Sequence, residues 1–314
     1  MGEGPPDLAA PRPWQELPDR LERGDMNYAL ILQLTVQGIL LGGIYGLIAV
    51  GLSLIFGVMG VVNFAHGPMI VLGMYITYGI FVLAGLDPYV SCVIASGALF
   101  LLGYLIQASI VNRILDFPEA MQVLPLVATG LIIENSVLMA FGPDPRSPRT
   151  ALALASFNVG PISVDVSRFI AFLLALVMTG AIFIFLKKSD VGKRIRAAAD
   201  SRVGAALVGI RVNKVNNFSF GLGAATTGAA GALLLPLMAT SPHLGHDFTL
   251  TAFVVVILGG LGNLPGALAG GLILGVAESL ATLFVPATMK QVVSFALLVG
   301  IMLVRPQGLF GGRR

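Results

Sequence analysis

The stretch that decides the fold is LTAFVVVILGGLGNLPGALAGGLILGVAESLATLF, residues 250–284. It contains a single charged side chain, Glu278, in a run far longer than the about 20 apolar residues that span a membrane. Glycine and proline interrupt helices, and GGLGNLP at residues 259–265 places four of them together. The sequence therefore predicts a broken segment that makes either two crossings or a re-entrant loop, rather than a single crossing.

The rest of the chain has the same character. Of its 314 residues, 56% are hydrophobic and 11% are charged, whereas a soluble domain carries about 25% charged residues. The other candidate spans are residues 30–56, 69–86, 90–111, 121–141, 169–186, 218–238 and 292–304. We predict an all-α polytopic membrane protein, a bundle of about eight transmembrane helices, or nine if the break at 259–265 reverses the chain.

The beginning of the chain differs from the rest. Residues 2–25 contain five prolines, six acids and three arginines, without the apolar stretch of about 7–15 residues that a signal peptide requires. We expect residues 1–25 to be a disordered extension, or sequence upstream of a chain that begins at Met26. Residues 26–314 then form the transmembrane domain.

Basic residues indicate the orientation. Segment 187–214 holds eight of the nineteen lysines and arginines, against only Asp190 and Asp200. By the positive-inside rule this loop is cytoplasmic, so segment 142–168, with an alternating stretch at 157–164 that suits a short hairpin, faces outside. Arginines at 305, 313 and 314 also favour the cytoplasm. An even number of crossings must therefore separate Lys214 from Arg305.

Residues 192–214 also have apolar positions at three- and four-residue spacing, which predicts one amphipathic helix, and Gly209 is expected to let the chain turn back toward Phe218. Those positions are Ile195, Ala198, Ala199, Val203, Ala206, Leu207 and Ile210. Small residues recur every fourth position in three spans and predict close helix contacts. They are Gly38-Gly42-Gly46, Ala224-Gly228-Ala232 and Ala267-Gly271-Gly275.

Signatures of enzymes are absent from the sequence. Gly192-Lys193 is followed by arginine rather than the serine or threonine of a Walker A motif, and there is one cysteine, Cys92. His243 and His246 are more typical of a polar loop than of a metal site. The basic residues are too localised for nucleic-acid binding. We expect a protein that is not an enzyme and carries no cofactor.

Two interrupted segments bring polar groups to membrane depth, NFAHGP at 63–68 and the break at 259–265. Non-helical backbone inside a membrane persists only within protein or against water, and paired breaks point to a transport route. We predict that the breaks line a substrate pathway through Asn63, His66, Gly259, Gly260, Gly262 and Asn263.

Two acids, Glu134 and Glu278, fall within predicted spans. An ionisable group is costly there and marks a functional position by default. We therefore add both to the predicted pathway, with an interhelical hydrogen bond or a protonated structural carboxyl as the alternative.

Several of these runs resemble LivH-type permeases of branched-chain amino acid ABC importers. They are GLIAVGLSLIFG (46–57), VVNFAHG (61–67), AFVVVILGGLGNLPG (252–266), GVAE (275–278), VSFALL (293–298) and RPQGLF (305–310). The resemblance extends from about Gln33 to Phe310. Pro68 stands where many members have an acid, which removes any role carried by that acid.

The resemblance implies a permease subunit in the bacterial inner (plasma) membrane, for branched-chain amino acids or related small solutes. It also implies a second related permease, two cytoplasmic ATP-binding subunits that hydrolyse ATP, and a periplasmic solute-binding protein. The basic loop then looks like the coupling loop seated in the ATPase. Its residues would be Arg196, Ala198, Ala199, Asp200, Gly209 and Ile210.

Other readings stay open at this point. The solute of an ABC importer could be urea, a short amide or an aromatic acid. An ion-coupled secondary transporter would use Glu134, His66 and Glu278 as a relay, although the large basic loop would then have no role. A membrane scaffold without a transport path is opposed by the paired helix breaks.

Overall fold

The computed structural model describes residues 24–148, 155–160, 162–286 and 289–311. The predicted extension, residues 1–25, lies outside this part of the chain except for its last two residues. The helices are α1 (Gly24–Met59), α2 (His66–Ala84), α3 (Pro88–Ile114, with a π-helical turn at Gln107–Val111), α4 (Glu119–Phe141), α5 (Val166–Lys188), α6 (Asp190–Asp200), α7 (Arg202–Leu207), α8 (Val212–Leu234), α9 (Gly245–Gly259), α10 (Leu264–Ala281) and α11 (Lys290–Val304). Strands β1 (Ser156–Val159) and β2 (Ile162–Asp165) form the predicted hairpin.

Helix lengths and composition confirm an all-α polytopic membrane protein. Among the described residues, seven helical stretches are long and apolar enough to cross a membrane. They lie in α1 to α5, in α9 with the turn before it, and in α10. Helix α8 is less apolar, yet its 23 residues are buried along most of their length at the centre of the bundle. Helix α11, with 15 residues, completes the bundle.

The break at 259–265 reverses the chain. Helices α9 and α10 are antiparallel, because Gly259 packs against Gly266 while Gly270 faces the carbonyl of Val255. The turn uses positive φ angles at Gly260 (96°) and Gly262 (78°), which glycine adopts without strain. Asn263 then caps α10 by accepting a hydrogen bond from the Gly266 amide at 3.1 Å. Of the two alternatives, the structure thus selects two antiparallel helices.

The first break, NFAHGP at residues 63–68, has a different structure from the second. After α1 ends at Met59, residues 60–65 turn back along it, and the His66 imidazole Nε2 reaches the Ile48 carbonyl oxygen at 3.0 Å. Met59 lies eleven positions after Ile48 along the helix, or about 16 Å of rise. Helix α2 therefore begins deep inside the bundle rather than at its surface.

Small residues bring two helix pairs into close contact, as their spacing predicts. Helices α1 and α10 are antiparallel, with Gly42 against the backbone of Gly271 and Leu272. Helices α3 and α8 meet where Gly103 packs on Ala224. Contacts of this kind leave no room for a side chain, so the two pairs form the dense framework of the bundle.

The two ends of the bundle carry different segments. At the basic end, α6 lies beside the last turns of α1 and the α9–α10 turn. The C-terminal segment, residues 305–311, crosses the same turn: the Leu309 amide donates to the Leu258 carbonyl oxygen at 2.8 Å, and the Asn263 Nδ2 donates to the Phe310 carbonyl oxygen at 2.7 Å. The basic loop and Arg305 thus share one end, as the positive-inside rule predicts.

The opposite end, called the outer end below, carries the β-hairpin. The Gln33 side chain near the start of α1 donates to the Ser163 carbonyl oxygen at 2.6 Å and accepts from the Ser163 amide at 2.8 Å. Segment 142–148 joins this end through paired backbone hydrogen bonds between Arg146 and Thr240. The predicted outside segment therefore lies away from the basic loop.

Candidate functional site: two cavities on a shared set of helices

A cavity of about 810 Å³, the inner cavity, opens at the basic end. It lies between the last turns of α1, the α9–α10 turn, α6 and the C-terminal segment. Its polar and small lining residues include Ser53, Gly57, Arg196, Gly262, Asn263 and Gln307. The predicted coupling loop and the predicted second break therefore meet at one cavity.

A second cavity of about 650 Å³, the outer cavity, opens at the outer end. It is formed by the first half of α1, the start of α9, the end of α10 and the start of α11. Its lining combines leucines with ionisable and polar side chains, among them Gln37, Tyr45, Arg168, Asp247, Glu278 and Lys290. Sequence reasoning identified only Glu278 of this set, because the others come from four separate elements with no shared motif.

A short apolar layer separates the cavities. On α9 the outer cavity ends at Thr251 and the inner cavity begins at Ile257, six residues or about 9 Å away. The layer contains Ile48, Leu52 and Val255, each at most 2% exposed. At the level between the two cavities, α1 and α9 thus carry buried apolar residues.

Part of the predicted pathway falls on these cavities. Gly262 and Asn263 line the inner cavity and Glu278 lines the outer one. Gly259 and Gly260 are buried behind the lining, where Gly259 contacts Gly266 and Gly260 contacts Gly311. Their role is to shape the turn that presents Gly262 and Asn263.

Asn63 and His66 line neither of these two cavities. Both are fully buried, because residues 60–65 fold back into the bundle instead of opening to water. The Asn63 Oδ1 accepts from the Ala65 amide at 3.1 Å, and the His66 ring bonds to the Ile48 carbonyl oxygen. His66 thus fastens the returning segment to α1, while the Asn63 side chain supports the turn within that segment.

The two intramembrane acids, alike in sequence, have different surroundings. Glu134 pairs with His243 Nδ1 at 2.7 Å and lies outside both cavities. Glu278 is buried at the wall of the outer cavity, where its Oε2 accepts from the Tyr45 hydroxyl at 3.0 Å and its Oε1 from the Ser294 hydroxyl. With His66 bonded elsewhere, the described residues contain no hydrogen-bonded relay that links the three groups.

The single amphipathic helix predicted for residues 192–214 is wrong in detail. Ser189 caps α6 by accepting from the Gly192 amide at 2.9 Å, and Ser201 caps α7 by accepting from the Gly204 amide at 3.0 Å. The chain then turns at Gly209, whose φ is 83°, and α8 begins at Val212. Cap-forming serines and this glycine divide the segment into three helices.

The start of α6 also carries a local ion pair. Lys193 Nζ donates to Asp190 Oδ1 at 2.9 Å, and this hydrogen bond, with the lysine charge, lowers the pKa of Asp190 below its usual range. A negative charge in the first turn also interacts favourably with the helix dipole. Asp190 therefore stays ionised at neutral pH and supports the beginning of α6.

The apolar side chains of the loop fall into two groups, one packed against this chain and one exposed at its surface. Ile195 and Ala198 are 1% exposed, packed inside this chain, and Ala199 and Arg196 border the inner cavity. The exposed apolar side chains lie on α7 and just beyond it, at Val203 (72%), Leu207 (84%) and Val208 (76%). Ala198, one of the predicted coupling residues, is thus enclosed by this chain, whereas the α7 cluster (Val203, Leu207 and Val208), which was not among them, is exposed.

A polytopic helical bundle with opposed cavities and a basic, partly apolar end is the architecture of a membrane permease. Residues 34–302 match the family described as "Branched-chain amino acid transport system / permease component". The chain belongs to this family, which consists of transport permeases of the inner membrane rather than enzymes. Its resemblance to LivH-type permeases is thereby confirmed.

Curated relatives match over nearly their whole length. The high-affinity branched-chain amino acid transport system permease protein LivH of Salmonella typhimurium is 31% identical over 91% of this chain and 97% of its own. LivH of Escherichia coli K12 is 30% identical with the same coverage. BraD of Pseudomonas aeruginosa, also named a permease of that transport system, is 27% identical over 89% of this chain and 95% of its own. No solved structure matches the chain significantly.

Proposed function

We propose that this chain is the membrane-spanning subunit of an ABC importer that carries branched-chain amino acids across the inner membrane. The observation that carries the proposal is the family match over residues 34–302, with relatives named for that transport aligned over almost their full length. Urea, short amides and aromatic acids are disfavoured because the relatives aligned over nearly their whole length are named for branched-chain amino acid transport.

The route in this proposal runs from the outer cavity through the apolar layer to the inner cavity. Glu278 stands on the outer side, and Gly262 and Asn263 on the inner side. In the closed arrangement the layer around Val255 blocks passage, so transport requires helices at this level to separate. Asn63 and His66 contribute by fixing the segment that packs behind the layer.

Coupling to ATP hydrolysis is assigned to the basic end. The α7 cluster supplies three exposed apolar side chains. Together they form a surface that a cytoplasmic ATP-binding subunit would cover. Helix α6 connects that surface to the route, because Arg196 and Ala199 border the inner cavity. Asp200, Gly209 and Ile210 belong to the same loop and set the angle between α6, α7 and α8.

This geometry also supports the wider assembly. In this proposal each ATP-binding subunit covers the α7 cluster of one permease, so a pair of ATP-binding subunits calls for a second permease of related fold. A periplasmic solute-binding protein would deliver the amino acid to the outer cavity. The α7 cluster and the outer cavity are at opposite ends of the bundle, which leaves room for both partners at once.

Reconstitution tests the proposal. The chain is co-purified with its second permease and ATP-binding subunits, placed in liposomes, and given radiolabelled leucine with the solute-binding protein. We expect uptake that needs ATP and persists when ionophores dissipate ion gradients. Uptake driven by an ion gradient without ATP, or uptake of urea or aromatic acids in place of leucine, isoleucine and valine, contradicts it.

A further inference from the structure

The outer cavity holds a buried carboxylate whose bonding is incomplete. Glu278 is 4% exposed, and each of its oxygens accepts one hydrogen bond from a neutral hydroxyl, of Tyr45 or of Ser294. A carboxylate oxygen accepts about two hydrogen bonds, so one acceptor position remains on each. No lysine or arginine of the described residues lies within 4.0 Å of this carboxylate.

An anion buried in this way is costly unless a cation or further hydrogen bonds compensate it. A purely structural residue at this position would be served as well by glutamine, which keeps two polar atoms for the same hydroxyls without a charge. A carboxyl in this position is therefore suited to a positively charged group that reaches Glu278 from the cavity, because such a group stabilises the ionised form.

The other residues that line the outer cavity suit the apolar and anionic parts of a small amphipathic molecule that carries a positive group. Leucine side chains from α1, α8 and the turn after α8 form an apolar wall, at Leu34, Leu40, Leu41, Leu234, Leu237 and Leu244. Two cations belong to the same lining, Lys290 and Arg168, the latter paired with Asp165 at 3.1 Å, and the lining also holds a second acid, Asp247. The volume of about 650 Å³ lies within the roughly 300–1,000 Å³ of ordinary small-molecule sites.

Resting on the proposed function, we propose that the outer cavity is a binding site for a zwitterionic amino acid with an apolar side chain. The Glu278 carboxylate accepts hydrogen bonds from the α-ammonium group of the solute. Arg168 and Lys290 attract its α-carboxylate, and the leucine wall contacts its branched side chain. The permease itself thus selects for the amino group, in addition to any selection by a solute-binding protein.

The test measures binding without relying on transport. Met238 lines the outer cavity and is 38% exposed, so Met238→Cys introduces a reporter thiol; the native Cys92 is 4% exposed and gives little background. In the purified importer we measure the rate of maleimide labelling with added leucine, leucine methyl ester or 4-methylpentanoate. Leucine and the ester should slow labelling, whereas 4-methylpentanoate, which lacks the amino group, should not.

The variant Glu278→Gln isolates the carboxylate, and Glu134→Gln is the matched control, since Glu134 is the other intramembrane acid and lies outside both cavities. A charge-assisted hydrogen bond contributes about 1.5–3 kcal/mol. We therefore expect Glu278→Gln to raise the leucine concentration for half-protection by at least about tenfold, and Glu134→Gln to leave it unchanged. An unaltered labelling rate without solute shows that the variant cavity is intact.

Three outcomes overturn the proposal: no protection by leucine, equal protection by 4-methylpentanoate, or equal protection in Glu278→Gln. The first two outcomes are measured with Glu278 unchanged, so they test the binding proposal even if the Glu278→Gln variant does not fold. A failure of the binding-site proposal can be distinguished from a failure of the proposed function. Normal ATP-driven leucine uptake without protection rejects only the binding site, whereas absent uptake by the unmodified importer rejects the function.

Discussion

The contact between α1 and α10 leads to a sharp prediction about the substitution Gly42→Ala. An ideal Cβ at position 42 lies 2.7 Å from the Gly271 carbonyl oxygen and 2.8 Å from the Leu272 Cα. Carbon atoms pack best at about 3.5–4.0 Å, so the two helices must separate by about 1 Å. Both obstructing atoms belong to the backbone, and no change of rotamer relieves the clash.

The expected cost follows from that displacement. Overpacking a dense core costs about 1–3 kcal/mol, and a gap of about 1 Å removes up to half of the dispersion energy of each separated contact. Because Gly38 and Gly46 pack on the same helix, the loss extends along the contact and the upper value, about 3 kcal/mol, applies. Alanine regains about 1 kcal/mol in helix propensity over glycine, which leaves a net destabilisation of about 2 kcal/mol.

Unfolding of the purified chain in detergent, titrated with SDS and followed by circular dichroism, measures this difference. Gly79→Ala in α2 is the matched control, because a Cβ there meets no atom within 4 Å and gains up to about 1 kcal/mol from propensity. Equal stability of Gly42→Ala and Gly79→Ala would refute the close contact between α1 and α10.

Three further predictions concern orientation, the route and coupling. A reporter fused after Arg314 should behave as cytoplasmic and one inserted near Ser147 as periplasmic, since these segments belong to opposite ends; detection on one side only would contradict the assignment. Cysteine at Asn263 should react with a small polar thiol reagent in the assembled importer, while cysteine at the buried Asn63 should stay inert, and the reverse pattern would reject the route. Leu207→Glu should abolish substrate-stimulated ATP hydrolysis, whereas Leu207→Met should retain it; normal stimulation in Leu207→Glu would remove the α7 cluster from coupling.

Hydropathy and charge were sufficient to predict most of the fold. Runs of about 20 apolar residues have few structural solutions in lipid, so the spans, the reversal at 259–265 and the shared end of the basic loop and Arg305 follow from local sequence. Helix α8 is more difficult to identify as a membrane-spanning helix from sequence, because its asparagines, threonines and glycines lower its hydropathy. Its burial at the centre depends on partners such as Asn112, which donates to Asn217 at 2.8 Å.

The candidate site was predicted only in part, and the two acids show why. Glu134 and Glu278 each occupy an apolar helix, and nothing in their neighbourhoods along the chain separates them. Their different positions depend on α1 and α11, which bring Tyr45 and Ser294 to one acid, and on the turn that brings His243 to the other. Contacts between residues distant in sequence decide function here, and a single sequence does not specify them.

The C-terminal segment has a consequence for how the protein is made. Residues 305–311 emerge from the ribosome after all the other described segments, yet they bond to Leu258 and Asn263 at the α9–α10 turn and complete one wall of the inner cavity. A chain released before residue 305 would insert its helices and still lack that wall. Synthesis of residues 305–311 is therefore required before the mouth of the inner cavity is complete.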